Sequence, residues 1–430
     1  LLGSSEHFAL VREKPECLRR ALELAGTSDY LAELLIHHPE DLAALNSSET
    51  RNSAETPPTQ MEIGLETEGW PEAFPWADDP NLGIREKMTL LRRQYRERVL
   101  ELAAADLDSP DSIFPALKRW SNAARRSVES ALRMAQAWSS GAGAPVRAAA
   151  CPFVVFALGR LGLSEFDLAS DADLVFVVDQ EATQAAAGSW TRLAEKTIEA
   201  LASYTRDGIL FAVDTRLRPR GQEGDLVVTA DGLVNYLMES AQVWEGLTYL
   251  KACPIAGEIE LGKRTAARLM AAVWERFANY PELEAELHRM RRRLEREMAV
   301  TPSNTKTAPG GYYDVDFAVS YLRLRHRLAT PSGANMPEQI AALHAAGHLR
   351  DEDAGILLEG AAFLRAVDHA IRLVTGKVAE GLPEHVGHAE AVESLARRWG
   401  LIEGEQTLAL RLQESQRRVR YVYRRIVESE

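Results

Sequence analysis

The fold is decided by residues 162–179, GLSEFDLASDADLVFVVD, where a loop of small residues leads into Ser-Asp-Ala-Asp and then into an apolar run. That run, from Leu174 to Val178, is rich in β-branched and aromatic residues, which is typical of a buried strand. Asp171 and Asp173 stand one residue apart where the strand begins. Alternate residues of a strand face the same side, so both carboxylates point to one spot. Because charge is costly to bury alone, the pair requires a partner.

Neighbouring strand patterns indicate what that partner is. Residues 151–158 (CPFVVFAL) predict a buried strand before the loop, and 208–219 (GILFAVDTRLRP) predict a third strand that brings Asp214 to the same sheet edge. Residues 225–230 (DLVVTA) predict a short fourth strand. Three carboxylates gathered there would repel one another unless cations neutralise them, and oxygen ligands of this kind suit Mg²⁺. Two such ions about 3.5–4 Å apart would clamp both sides of an in-line displacement at phosphorus.

An isolated Asp-x-Asp at a strand start can also be a solvated turn that caps backbone amides. The glycine-bearing loop before it and the Asp-bearing strand after it favour a metal site instead. That loop, GRLGLSEFDLAS (159–170), can present backbone N–H groups to phosphate oxygens, and Gly159, Gly162 and Ser170 are its candidate nucleotide contacts. The alternative for the glycines is a simple turn after the strand, and Glu165 is expected to have a structural role.

Composition limits the classes of function. The 430 residues are 46% apolar and 26% charged, which is normal for a soluble globular protein of two or three domains. No run of about 18 apolar residues occurs, and the formal charge of −13 argues against broad affinity for nucleic acid. We therefore expect neither membrane nor nucleic acid as a partner. Three separated cysteines without metal spacing indicate a reduced, cytoplasmic setting, and the opening residues look like a cut inside a longer chain.

The chain divides by pattern into four parts. Residues 1–46 have helical periodicity, and 47–83 are rich in Ser, Thr, Glu and Pro, which predicts a linker or mobile excursion. Residues 84–277 hold the predicted strands among helices, and 278–430 are predicted to be helical. The expected class is α+β, with a small mixed sheet followed by a larger helical block. From residue 84 onward the predicted helices are 84–106, 111–140, 184–206, 231–253, 256–277, 278–300, 313–329, 336–377 and 385–428.

Five motifs occur in an order that resembles one family: FALGRLGLSEFDLASDADLVF, VDTRLRPRGQEGDLV, WEGLTYLKACPIAGE, MRRRLEREM and KTAPGGYYDVDFAVSYLRLRH. Over about residues 15–430 the chain resembles the glutamine-synthetase adenylyltransferase family, within the polymerase-β-type nucleotidyltransferase superfamily. The resemblance implies a polymerase-β-type nucleotidyltransferase core at 84–277 and a C-terminal helical bundle at 278–430. It also implies ATP as substrate, Mg²⁺ as cofactor, and glutamine synthetase and a PII-type signalling protein as partners.

Full-length members of the family carry two such modules, and a chain of this length corresponds to one of them. One module attaches AMP to a tyrosine of glutamine synthetase, and the other removes it by phosphorolysis. The segment ALELAGTSDYLAELLIHHPEDLAAL (21–45) resembles the lead-in to the C-terminal, attaching module. The removing module has very similar signatures, so it stays as the alternative.

Matching by position, the resemblance implies that Asp171, Asp173 and Asp214 are the catalytic, metal-binding residues. Arg216 and Arg218 are candidates for phosphate contacts, because a guanidinium fork matches paired oxygens. The alternative for both arginines is a salt bridge to the acidic cluster itself.

Two further motifs are carried over from the family. The first is WEGLTYLKACPIAGE, in which Lys251 is expected to face the nucleotide and Trp244 to lie in the core. The second reads Lys, Gly-Gly and two acids in the family, and here comprises Lys306, Gly310, Gly311, Asp314 and Asp316. Acids one residue apart on a helix face different directions, so at most one of the two is expected to reach the site.

The chain departs from the family pattern at several positions. Leu163 replaces the second of two paired glycines, Phe166 replaces a leucine, Asp316 replaces a glutamate, and Cys253 stands where arginine is frequent. A side chain at Leu163 would obstruct phosphate if the missing glycine lets phosphate approach the backbone. This departure motivates a further alternative, in which the chain is a catalytically impaired regulatory binding module. The scattered histidines are expected to be surface or packing residues.

Overall fold

The structure, a computed structural model, describes residues 4–46, 72–108, 113–139, 152–298, 301–378 and 380–428. Its helices, α1 to α16 in chain order, are Ser5–Glu13, Pro15–Thr27, Asp29–His37, Ile84–Asp108, Ile113–Ser139, Gly159–Gly162, Gln180–Ala202, Ala230–Glu239, Val243–Tyr249, Ile259–Phe277, Leu283–Met298, Tyr312–Arg325, Met336–Ala345, Asp351–Thr375, Val386–Arg398 and Leu408–Val427. Its strands, β1 to β5, are Phe153–Ala157, Ala172–Val178, Val213–Asp214, Val227–Thr229 and Cys253–Gly257. Among the described residues, no helix is both long enough and apolar enough to cross a bilayer.

The strands form one mixed sheet in the order β3-β2-β1-β5, and β4 pairs with β2 beyond the end of β3. Strand β1 is antiparallel to both β2 and β5, whereas β3 and β4 run parallel to β2. All of β1 and most of β2 are buried, because α5, α7 and α10 pack around the sheet. This burial explains their continuous apolar sequence. The predicted α+β class, with a small mixed sheet and many helices, is confirmed.

The segment between β4 and α10 differs from its predicted structure. The helix expected over 231–253 is divided into α8 and α9, and the chain then forms β5 at the sheet edge. A capping box starts α9, since Gln242 and Glu245 each satisfy the other's backbone N–H. Strand β5 was missed because Pro254 and Gly257 interrupt its apolar pattern, and Gly257 has a positive φ of 94°.

Other predicted elements are shorter than expected. The third strand, expected over 208–219, is reduced to the two residues of β3, because the chain turns at once into a hydrogen-bonded loop. The helix expected over 336–377 is α13 and α14, with Gly347 between them at φ 73°. The helix expected over 385–428 is α15 and α16, with Gly400 between them at φ 67°.

Part of the predicted linker at 47–83 is packed. Residues 47–71 lie outside the described residues, but a short 3₁₀ turn at Pro75–Asp78 is present and Ala77 within it is fully buried. The buried Lys87 ammonium donates to the Ala77 carbonyl at 2.7 Å. At least the C-terminal end of this segment is therefore not a mobile excursion. The domain boundaries at 46, 83 and 277 stay predictions, since buried apolar residues from Cys17 to Val427 form one connected cluster.

Candidate metal centre

Three carboxylates meet at the edge formed by β2 and β3. The parallel register places Asp173 directly opposite Asp214, and Asp171 immediately precedes β2. One oxygen from each of the three carboxylates lies within 4.8 Å of the other two. This is the convergence expected from the strand patterns. Within the part of the chain that the structure describes, no other trio of His, Cys, Asp or Glu side chains is arranged in this way.

Glycines in the loop after β1 make room for this cluster. Gly159 has φ 53°, a conformation that suits glycine, and a β-carbon there would overlap the carboxylate of Asp173. A β-carbon on Gly162 would lie 2.5 Å from the Lys251 carbonyl oxygen and 2.9 Å from that of Ala157. These glycines therefore do more than form a turn, because their missing side chains allow the loop to lie against Asp173 and residue 251.

The negative charge of the cluster is only partly compensated. Burial, together with the neighbouring Asp171 and Asp214 carboxylates, raises the pKa of Asp173 to about 7. Hydrogen bonds from Arg216 hold the pKa of Asp214 below its ordinary value. A set of three carboxylate oxygens in which the central acid resists ionisation fits a hard divalent cation such as Mg²⁺. The donor set therefore suits the metal that the resemblance implies.

The two arginines after β3 behave differently. Arg216 forms the salt bridge to the acidic cluster that was the alternative to a phosphate contact, with Nη2 2.5 Å from Asp214 Oδ2. Arg218 instead donates to the carbonyls of Thr215 and Gly224, at 2.8 and 3.1 Å, and so braces its own loop. Neither arrangement tests whether these arginines contact a nucleotide, which stays a prediction.

The acids of the second family motif lie outside the cluster. Asp314 is fully buried against Arg291 and Arg420 and accepts the Gly310 N–H at 2.7 Å, so it serves packing. Asp316 pairs with the ammonium of Lys251 at 2.6 Å. This pair lies beside the glycine loop, because Gly162 approaches the Lys251 carbonyl. The expected nucleotide contact of Lys251 stays a prediction.

Lys306 lies in the second family motif, where the sequence pattern indicates no particular role for it. Its N–H and that of Thr307 both donate to the Asn304 side chain, at 2.9 and 2.8 Å, and its carbonyl accepts from Tyr313. Its exposed ammonium has no ion-pair partner among the described residues, and its positive charge lowers the pKa of Asp173. A rigid turn thus presents one cation to the acidic cluster.

The second half of the glycine loop is fastened to the C-terminal helices. Glu165 is fully buried and accepts hydrogen bonds from Tyr312 Oη at 2.6 Å, Met336 N at 2.9 Å and Arg365 Nε at 2.9 Å. Its expected structural role is confirmed. Ser170, a candidate nucleotide contact, is buried, and its hydroxyl accepts from Arg372 at 3.3 Å. The structure therefore directs Ser170 toward α14.

His369 of α14 also contacts the glycine loop, through buried carboxylates. Its Nδ1 lies 2.7 Å from Asp167 Oδ1 and its Nε2 lies 3.1 Å from Asp106 Oδ2. The two carboxylates raise the pKa of His369 to about 10, so the imidazole carries a positive charge at neutral pH. It therefore belongs to a buried ionic network. No local sequence pattern indicates this network, since the pairing partners are far apart along the chain.

The structure shows the surroundings of three residues that depart from the family pattern and of one that was expected in the core. Leu163 has an ordinary φ of −90° and its buried side chain lines a small cavity with residues 250–252 and 330–334, none of which belongs to the acidic cluster. Phe166 is fully buried and packs edge-on against Phe211 at 5.3 Å. Cys253 is buried on β5 near Arg125. Trp244 is 39% exposed, so its expected core position is wrong.

Comparison with known proteins gives the family. A model of the glutamate-ammonia ligase adenylyltransferase family matches residues 18–268, and a model of the GlnD PII-uridylyltransferase family matches residues 282–427. The chain is 33% identical over 401 residues to a bifunctional glutamine synthetase adenylyltransferase/adenylyl-removing enzyme of Mycobacterium tuberculosis, covering 90% of this chain and 37% of that protein.

Relatives with the same description give similar figures. The identity is 32% over 387 residues in Streptomyces avermitilis, covering 87% of this chain and 36% of the relative. It is 31% over 388 residues in Mycobacterium leprae, covering 88% and 36%. The chain thus spans little more than a third of the length of these curated relatives. Because the first family model covers more than half of this chain, the chain belongs to the glutamate-ammonia ligase adenylyltransferase family.

Proposed function

We propose that this chain transfers AMP from ATP to a tyrosine hydroxyl of glutamine synthetase, as the attaching module of its family. The observation that carries the proposal is the convergence of Asp171, Asp173 and Asp214 at one sheet edge, beside a glycine loop. The relatives are named for both attachment and removal of the adenylyl group, so the family alone does not select the direction. The lead-in segment at 21–45 supports attachment.

The chemistry is a displacement at phosphorus. A bond forms between the tyrosine oxygen and the α-phosphorus of ATP, the bond from that phosphorus to the bridging oxygen breaks, and pyrophosphate leaves. A carboxylate of the cluster accepts the phenolic proton. When bound, Mg²⁺ would be held by Asp171, Asp173 and Asp214 and would neutralise charge on the phosphates. The protein's task is mainly to position the reactants and balance their charge.

Residues around the cluster supply the rest of that balance. Lys306 offers a positive charge to the phosphates from its fixed turn. Gly159 keeps the loop backbone close to Asp173 without a side chain between them. The Lys251–Asp316 pair places another ammonium next to the loop. The buried position of Leu163 supports an active site over the alternative of an impaired binding module, because its side chain fills the interior.

The partners and location follow from the same proposal. We expect the protein to act in the cytoplasm on glutamine synthetase. Its C-terminal helical region is the expected contact for a PII-type signalling protein, and the match of residues 282–427 to the PII-uridylyltransferase family supports that assignment.

Three parallel reactions with the purified chain test the direction and the nucleotide. Unmodified glutamine synthetase and α-labelled ATP should give labelled glutamine synthetase and pyrophosphate. Adenylylated glutamine synthetase and inorganic phosphate should give no ADP, and α-labelled UTP should give no labelling. Release of ADP in the second reaction would assign the chain to the removing module, and transfer in none of them, with Mg²⁺ present, would contradict the enzymatic proposal.

A further inference from the structure

Arg216 lies directly on the acidic cluster. Its Nε is 3.0 and 2.8 Å from the two oxygens of Asp214, and its Nη2 is 2.5 Å from Oδ2. The backbone N–H of Arg216 also donates to Oδ1, at 2.8 Å. Both oxygens that Asp214 would offer to a cation are therefore engaged by a single residue.

This contact conflicts with metal binding. A guanidinium and a divalent cation repel each other, and here they require the same oxygens of Asp214. The positive charge of Arg216 also acts on Asp171 and Asp173, so its influence extends over the whole proposed metal site. Arg216 and the cation therefore compete for the cluster.

The side chain of Arg216 is free to leave while its backbone stays in place. It is 66% exposed, whereas the Asp214 side chain is 15% exposed, so the guanidinium can move into solvent without unpacking the interior. The loop that carries it is held independently, since Arg218 donates to the Thr215 and Gly224 carbonyls and Tyr249 Oη donates to the Leu217 carbonyl at 2.9 Å. Displacement of the guanidinium would leave that loop intact.

We propose that Arg216 is an exchangeable counter-ion, which neutralises Asp214 in the metal-free protein and pairs with the nucleotide's phosphates once a divalent cation takes that carboxylate. The inference rests on the proposed function, because it needs a metal and a triphosphate at this edge. Its physical basis is that a guanidinium fork fits paired phosphate oxygens as well as it fits a carboxylate. It unites the two interpretations of Arg216 as two states of one residue.

The proposal predicts opposite effects of one substitution on two ligands. In the absence of nucleotide, Arg216→Gln should bind Mn²⁺ roughly 3- to 10-fold more tightly than the wild type, because a competing cation is gone. With Mn²⁺ saturating, the same variant should bind a non-hydrolysable ATP analogue roughly 10-fold more weakly. Electron paramagnetic resonance gives the first affinity and calorimetry the second. Arg206→Gln, which removes the same charge from an exposed position, should change neither.

The outcomes separate this inference from the proposed function. If the wild type binds both Mn²⁺ and the analogue but Arg216→Gln weakens both or leaves Mn²⁺ affinity unchanged, the exchange is wrong and the metal site stands. If the wild type binds neither ligand, the proposed function fails and the exchange fails with it. Arg216→Lys should recover part of the nucleotide affinity, because a point charge remains without the fork.

Discussion

Two charged regions flank the same glycine loop, and they differ in how their charges are compensated. At the β2–β3 edge, three carboxylates share one exposed arginine, and the pKa of Asp173 is raised to about 7. Within the second half of the loop, Asp167 is fully buried beside His369, and the pKa of the carboxyl is held below its ordinary value. We interpret the incompletely balanced negative charge of the first region as the proposed ligand site, and the balanced buried charge of the second region as architectural.

The two regions also differ in the secondary-structure elements that contribute their residues. The open cluster gathers carboxylates at the edge of two neighbouring strands, so it depends on the sheet register and on the glycines that let the loop lie against Asp173. The buried network connects Glu165 and Asp167 of the loop to Arg365 and His369 of α14. The helical region therefore supports the loop on which the proposed site depends, and the charge of its Lys306 also acts on Asp173.

The largest expected effect separates these two regions. Asp173→Asn should reduce AMP transfer by at least about 1000-fold, because the central ligand of the cluster is lost. The same substitution should leave the free energy of unfolding unchanged or higher in the metal-free protein, since it removes like-charge repulsion. Labelled AMP transfer and urea unfolding measure the two. A variant that keeps wild-type transfer would show that the cluster is not the reactive site.

The matching substitution in the buried network is Asp167→Asn, which should affect stability instead of metal binding. Asp167→Asn removes one of the two carboxylates that face His369 and one of the two that face Arg160, so each cation keeps a single carboxylate partner. Breaking a buried pair costs about 3–5 kcal/mol of stability. Urea unfolding of this variant beside Asp173→Asn gives a matched comparison, because both exchanges are isosteric. Equal stability of the two variants would contradict the division of the charges into architectural and ligand-binding sets.

Local pattern accounts for what the sequence predicted well. The strands β1 and β2 are continuous apolar runs, and Asp171 and Asp173 follow from alternation along one strand. Asp214 followed from a second strand, although only its two residues Val213 and Asp214 pair in the structure. The fold class and the geometry of the acidic cluster are therefore encoded within short windows.

What the sequence did not predict depends on distant contacts. Asp167 and His369 are 202 residues apart, so no spacing rule connects them. Strand β5 has little strand pattern of its own and forms because β1 offers an edge to pair with. The hydroxyl of Ser170, whose nucleotide contact stays a prediction, accepts from Arg372 of α14, and the loop sequence alone could not reveal that bond.

The pH dependence of Mn²⁺ affinity tests the acidic cluster directly. The metal requires ionised carboxylates, and protonation of Asp173 below about pH 7 competes with it. Affinity for Mn²⁺ should therefore fall by up to about 10-fold for each pH unit below 7 and level off above it. In Asp167→Asn, provided that it folds, the profile should keep its midpoint. An affinity that is flat between pH 5.5 and 8 would contradict the raised pKa.

The smallest expected effect concerns Lys306, which links the two regions because the C-terminal part of the chain holds it in place. Gln416 of α16 donates to the Asn304 carbonyl, and Asn304 in turn fixes the Lys306 turn. Lys306→Met should weaken ATP binding roughly 3- to 10-fold, as expected for loss of one exposed charge contact to phosphate. Affinity for AMP should change less if the ammonium serves the β- and γ-phosphates.

Calorimetry with both nucleotides in the presence of Mn²⁺ measures this difference, and Lys306→Arg should retain most of the ATP affinity. The comparison is informative because the turn's backbone contacts do not involve the ammonium, which lies 5.2 Å from the centre of the Tyr313 ring. Lys306→Met should therefore unfold at nearly the same urea concentration as the wild type. Equal loss of ATP and AMP affinity would place Lys306 at the α-phosphate. Unchanged affinity for both would mean that the helical region supports the site only through the buried network, and contributes no charge to the nucleotide.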